Sequence, residues 1–274
     1  MPTHDDLGIR MKEFYEEIPK IKLMRRTPVI IRIDGKAFHT FTKGFQKPFD
    51  DILIKSMQET TKYLCEHIQG CVLGYTQSDE ITLVLVDYHK LETHAWFNYE
   101  VQKICSIAAS MATMAFNKIF AYNVEEFATK NGVNKELSEY INVLENASCK
   151  GAMFDARAFN IPKEEVTNCI YWRQLDANRN SIQMVGQANF SHNELHEKTC
   201  NMIQDMLMTY KGINWNDFPI YKKRGSCCIK EEYTSPEVGI KDCACGRTRW
   251  VIDTEIPMFR NEGRAYIEKL INFD

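Results

Sequence analysis

Apolar and polar positions come in blocks along the first 160 residues, and the block lengths separate strands from helices. PVIIRI, with Val29 to Ile33 at its centre, is a short apolar run rich in β-branched residues and reads as a buried strand. From Phe49 to Gln69, Leu53, Met57, Leu64 and Ile68 recur at spacings of three to four residues or their sum, one helical face, and Gly70 ends that helix. CVLGYT and ITLVLV are two further strands, separated only by Gln77, Ser78, Asp79 and Glu80, which predicts a hairpin with a short polar tip. WFNYEVQKICSIAASMATMAFNKIFAY predicts one long helix, apolar enough to lie against a sheet. AMFDARAFNI is a fourth strand, and Pro162 with Glu164 and Glu165 opens the next helix.

The order β-α-β-β-α-β is the split arrangement of ferredoxin-like antiparallel sheets, an α+β class of fold. In that topology the third strand lies antiparallel beside the first, so the end of one meets the start of the other. Asp34 occupies that end, and Asp79 with Glu80 that start. Residues 162–212 read as mostly helical, and SHNE at 191–194 fits a capping box. From Asn214 onward the chain is rich in strand and loop, with an irregular hairpin around CIKEEYTSPEVGIKDCACGRTRW. No repeat, low-complexity stretch or linker divides it. The expectation is a single domain over 1–274, a core of about 24–160 carrying a helical and hairpin extension over 161–274.

Composition narrows the function classes. A chain of 274 residues, 44% of them hydrophobic, has ample material for a full core. The net charge of −3 argues against a protein that coats nucleic acid indiscriminately but leaves room for local basic surfaces, of which Lys222, Lys223 and Arg224 form one. No apolar run is expected to cross a membrane, and the opening MPTHDDLGIRMKEF is too polar for a secretory signal. Ten cysteines in no regular framework fit a reducing, cytoplasmic setting. Cys227, Cys228, Cys243 and Cys245 form CC and CxC pairs rather than the CxxC pairs of a zinc ribbon, so free thiols in a hairpin are expected. His192 and His196 flank Glu194, which the capping box already explains.

The chemistry lies with the acids. Asp34-Gly35 and Ser78-Asp79, taken singly, are ordinary turn pairs. Brought to one sheet edge, the two aspartates would repel each other unless a cation lay between them. Mg²⁺ suits that role, because it prefers oxygen ligands and is held by one or two carboxylates plus substrate phosphates. Gly35 would let the backbone approach closely enough for its carbonyl to join. Two such ions about 3.5–4 Å apart clamp the attacking and leaving oxygens of a phosphoryl displacement. Lys36, His39, Lys43 and Lys47 follow closely and offer donors for a triphosphate. Phe38 and Phe41 have two uses, stacking on a base or filling the core, with core expected for Phe41. Asp50 is expected to be the N-cap of the first long helix.

RIDGKAFHTFTKGFQKPFDD, YTQSDEI, FDAR and WRQLDANRNSI together resemble the tRNA-histidine guanylyltransferase family and its bacterial and archaeal relatives, the 3′–5′ polymerases. The likeness runs through NWNDFPIYKKRG to about Pro257, leaving out the stretch from Cys227 to Cys245 and the chain ends. It implies a polymerase-like palm with two Mg²⁺ ions on Asp34, the Gly35 carbonyl and Asp79, supported by Glu80 as a third catalytic acid. It implies a GTP or ATP held along Asp34, Gly35, Lys36, Ala37, Phe38 and His39, with Lys47, Ser78, Asp79 and Asn178. Phosphate or tRNA contacts are implied at Arg32, Arg157, Arg179, Asn180, Lys222, Lys223 and Arg224, with Arg157 also ordering the site. The reaction implied is activation of a tRNA 5′ end with ATP or GTP, then attack by the 3′ hydroxyl of an incoming nucleotide. A homo-oligomer, commonly a tetramer, goes with the family. Asn178 stands where eukaryotic members carry a histidine, which resembles the bacterial branch of general 5′-end repair enzymes. Asn178, Arg179 and Asn180 remain open to a second reading, caps and pairing between helices. Two other functions fit a palm: a nucleotide cyclase, and a tRNA-end binder without catalysis.

Overall fold

The computed structural model describes residues 6–131, 134, 137–233 and 247–272. The run around Ile31 forms β1, Val29–Gly35, near the middle of a six-stranded sheet. The other strands are β2 (Cys71–Gln77), β3 (Glu80–Leu85), β4 (Phe154–Asn160), β5 (Ser226–Tyr233) and β6 (Arg247–Asp253). Their order is β4-β1-β3-β2-β5-β6 with every pair antiparallel. The first four reproduce the expected ferredoxin-like arrangement, and the β5–β6 hairpin widens it beyond β2. Cys243 and Cys245 lie outside the described residues, whereas Cys227 and Cys228 are free thiols buried on β5.

The helices in chain order are α1 (Asp6–Met11), α2 (Phe38–Phe41), α3 (Asp51–His67), α4 (Val101–Asn131) and α5 (Ser138–Lys150). They continue with α6 (Val166–Asn189), α7 (His192–Leu195), α8 (Cys200–Lys211), α9 (Ile220–Arg224) and α10 (Ala265–Ile271). Strand alternation sorts the core into two layers. Val29, Ile31, Ile33, Leu83 and Leu85 are fully buried on the face covered by α3 and α4. Ile30, Val84, Leu73 and Tyr75 point the other way, toward Val166 and Ile170 of α6 and Ile267 and Ile271 of α10. A smaller cluster, Ile182, Val185, Ile203, Leu207 and Trp215, fastens α8 to the far half of α6.

Asp50 caps α3 as expected, accepting from the Leu53 N–H at 3.0 Å. Ser191 and Glu194 form the expected capping box around α7. The long helix differs from its expected bounds. It starts at Val101 rather than Trp96, because Phe97, Asn98 and Tyr99 take left-handed φ values of 47°, 51° and 55° that end one turn and redirect the chain. It then runs on to Asn131. By length and composition α4 could cross a membrane, which corrects the expectation that no segment qualifies. Ile104, Ala108, Ala112, Phe116, Phe120 and Val124 are nonetheless buried against the sheet and α3, the place of a core helix. Helices α5 and α10 had not been anticipated. The N-terminal stretch is helical over Asp6–Glu16 and buries none of those residues; Leu7, Phe14 and Tyr15 within it and Ile18, Ile21 and Met24 after it are exposed.

Candidate active site

Register brings the acids together. Asp34 sits opposite Glu80 on β3 and opposite Asp155 on β4. The Gly35 N–H donates to the Asp79 carbonyl at 3.1 Å, so the two distant aspartates occupy adjacent strand ends. The β2–β3 turn is as short as the spacing requires: Gln77 pairs with Glu80, and Ser78 takes a left-handed φ of 50° at the tip. The Ser78 hydroxyl donates to the Asp79 carboxylate at 3.1 Å.

Both carboxyls are pushed above the usual aspartate range. For Asp34 the causes are burial, then the charges of Glu80 and Asp155, opposed by Arg157 and Arg32. For Asp79 burial dominates; its own N–H and Ser78 oppose it, and the charges of Asp34 and Glu80 add to it. Crowded, desolvated acids of this kind call for a cation. Among the described residues no group of three or more Asp, Glu, His or Cys forms a self-contained metal cage. A Mg²⁺ ion that shares its ligands with substrate phosphates does not need one. Asp34, Asp79 and the Gly35 carbonyl therefore fit that ion.

Glu80 belongs to a different network. Its carboxylate receives two bonds from Arg173 on α6, each 2.6 Å, and a third from Arg32 at 3.1 Å. With the residue 5% exposed, its oxygens are committed to arginines. The expectation that Glu80 acts as a catalytic acid is thus corrected to one of position. Arg32 likewise faces Glu80 rather than solvent.

A cleft of about 570 Å³ opens beside Asp79. Gly35, Ala37, Phe38, His39, Lys47 and Ser78 line it with Asp79, so most of the expected nucleotide-binding residues share one wall. Asp34 stands on the adjoining strand face, and the exposed Lys36 flanks it, its N–H bonded to the Met153 carbonyl at 2.8 Å. The opposite wall comes from Met184 and Gln187 of α6, which sequence reasoning missed because nothing marks a methionine on a half-buried helix. The Phe38 ring does not stand free for a base. It is buried 5.1–5.7 Å from Phe41, Phe116 and Phe154, which corrects the stacking alternative and extends the core reading to both aromatics. Gly35 owes its identity to this ring: a Cβ there would lie 2.2 Å from a Phe38 ring carbon.

The remaining expected contacts divide. Asn178 is turned from the cleft, donating to the Met258 sulfur at 3.7 Å with its buried Oδ1 unpartnered, a correction to its placement on nucleotide. Asn180 and Lys222 line a small cavity of about 70 Å³ next to Ser78, and Lys222 pairs with Asp51 at 2.6 Å. Lys223 is a further correction. It is buried against Trp215 with its ammonium on the Asn216 carbonyl, and burial, with the Arg224 charge beside it, pushes it below the usual lysine range. The Arg224 carbonyl accepts from Tyr75, and its Nε is buried without a partner. Arg157 and Arg179 keep exposed side chains, paired with Asp155 and Asp176 respectively.

Comparison with known proteins finds similar chains by sequence and by fold. A sequence profile of the family described as tRNAHis guanylyltransferase matches residues 8–162. A bacterial tRNA(His) guanylyltransferase-like protein solved in complex with ATP is 42% identical, superposes with a TM-score of 0.79, and is matched over 98% of this chain and 100% of its own. A solved structure of the same description in complex with GTP is 40% identical with a TM-score of 0.76 and the same coverage. The tRNA(His) guanylyltransferase of Saccharomyces cerevisiae is 26% identical over 217 residues, 74% of this chain and 82% of the yeast protein.

Proposed function

Because this chain belongs to the tRNAHis guanylyltransferase family of nucleotidyltransferases, we propose that it extends tRNA 5′ ends in the 3′–5′ direction, with ATP and GTP as substrates. The observation that carries this reading is the meeting of Asp34 and Asp79 beside a cleft of nucleotide size. Asp34, Asp79 and the Gly35 carbonyl would hold Mg²⁺, whose charge would stabilise the phosphoryl oxygens. His39 and Lys47 on the cleft wall, with Lys36 beside it, neutralise the triphosphate, while Ser78 holds the Asp79 carboxylate in place. Activation transfers a nucleotidyl group from ATP or GTP to the 5′ phosphate, releasing pyrophosphate. The 3′ oxygen of the incoming nucleotide then bonds to that phosphorus, its proton is lost, and the nucleoside monophosphate leaves. These residues act by positioning and charge, which suits phosphoryl transfer.

The substrate range extends to 5′-truncated tRNAs, in keeping with Asn178 where eukaryotic relatives carry histidine. The described residues act as one catalytic unit, in the cytoplasm. The protein assembles as a homo-oligomer, a tetramer by the family likeness; the exposed apolar side chains of Leu7, Phe14, Tyr15, Ile18, Ile21 and Met24 support self-association without fixing the number of subunits.

Incubation with Mg²⁺, labelled GTP and a 5′-truncated tRNA tests the activity. Extended RNA is the expected product. A cyclic nucleotide would instead identify a cyclase, and RNA binding without product a non-catalytic end binder.

A further inference from the structure

Trp172, on the first half of α6, is 52% exposed, although the side chains beneath it form one of the most buried charge networks in the molecule. The Arg173 guanidinium carbon lies 4.5 Å from the Trp172 ring centroid and that of Arg32 5.2 Å. Both arginines donate to the same oxygen of Glu80, at 2.6 and 3.1 Å. Both guanidinium groups reach the ring from the side of Glu80, and the half of Trp172 left in solvent is its outer surface.

The surroundings of that outer surface are those of a nucleic-acid site. Arg157, opposite Arg32 in the sheet register, keeps a side chain 57% exposed, and Arg179, seven residues along α6, one that is 61% exposed. Arg32, which touches the Trp172 ring, and Asp34 share a face of β1 two residues apart, so Trp172 lies on the acids' side of the sheet. The Met184 wall of the nucleotide cleft lies at the other end of the helix, roughly 18 Å away at 1.5 Å per residue, and Trp172 is not among the residues that line that cleft.

We propose that the outer face of Trp172 is the stacking platform for the 5′-terminal base of the RNA, the nucleotide whose 5′ phosphate reacts at the acids. This rests on the proposed activity, which puts that phosphate at Asp34 and Asp79. Arginines behind an indole make its inner face a cation–π contact and hold the ring in place, while the outer face takes any of the four bases. The platform positions the RNA end and does not discriminate its sequence.

Binding of a 5′-truncated tRNA and its extension are compared in wild type, Trp172→Phe, Trp172→Leu and Trp172→Ala, with ATP and GTP binding as the control for an intact cleft. The Ala and Leu variants should bind the RNA roughly 5- to 150-fold more weakly, the range one aromatic–base stack supplies, with nucleotide binding unchanged. Phe should restore most of the loss. Tryptophan fluorescence of the wild type should fall on RNA addition, and that change should be missing from the Phe variant. Equal RNA binding by Leu and Phe, an equal fluorescence response to nucleotide alone, or a changed subunit assembly in the Ala variant would each overturn the platform. Wild-type protein that does not extend the RNA overturns the activity itself. Extension by wild type with unaltered RNA binding by Ala removes the platform alone.

Discussion

Glu80→Gln keeps the shape of the side chain and removes the charge that holds two arginines. Glu80 is 5% exposed and Arg173 6%, and the pair is bidentate at 2.6 Å, with Arg32 adding a bond at 3.1 Å. Removing one partner of such a buried pair costs about 3–5 kcal/mol, since the other charge is left without compensation. For a chain of this size that lowers the thermal midpoint by roughly 6–20 °C. Urea unfolding followed by circular dichroism, in metal-free buffer, measures it directly. The Glu80→Gln/Arg173→Met double variant should unfold with less than the summed cost of the single changes, because it leaves fewer stranded charges. If Glu80→Gln unfolds within about 0.5 kcal/mol of wild type yet loses all nucleotide addition, the assignment of Glu80 to position rather than chemistry fails.

Three further outcomes are expected. Asp79→Asn should abolish nucleotide addition and raise the metal-free midpoint at pH 7. A carboxyl held above its ordinary range favours the folded state fully only below the ordinary aspartate value of about 4, and that contribution is lost as pH rises through the raised value. Added Mg²⁺ should stabilise wild type and not this variant. Gly35→Ala should cost about 1–3 kcal/mol by overpacking and reduce activity, since its Cβ would meet the Phe38 ring at 2.2 Å and only a shift of the β1 end relieves it; urea titration and the extension assay read the two effects. Removing residues 1–18 should lower the number of subunits per particle measured by light scattering, because Leu7, Phe14, Tyr15 and Ile18 leave with them; an unchanged subunit number would dissociate this stretch from assembly.

The sheet was legible because its strands are β-branched runs of strand length and the hairpin between β2 and β3 is too short for any other path. Convergence of Asp34 and Asp79 followed from topology alone. What stayed hidden depends on conformation or distant partners. Trp96 to Tyr99 is apolar enough to extend a helical pattern, and periodicity carries no sign of the left-handed φ values that break it. Phe38 beside an acid-glycine pair has the same pattern whether it stacks on a base or fills a core. Glu80, next to Asp79, reads as a third catalytic acid until its partner appears 93 residues away. Lys223 reads as part of a basic run, yet its surroundings, Trp215 and the Asn216 carbonyl, belong to a separate turn.

Helix α6 is clamped at one end to the strand that carries the acids, through Arg173 and Glu80, and borders the nucleotide cleft at the other, through Met184 and Gln187. One uninterrupted helix of 24 residues thus carries residues at both places, so the separation of the cleft wall from the strand that bears the acids is set by the rise of a single element.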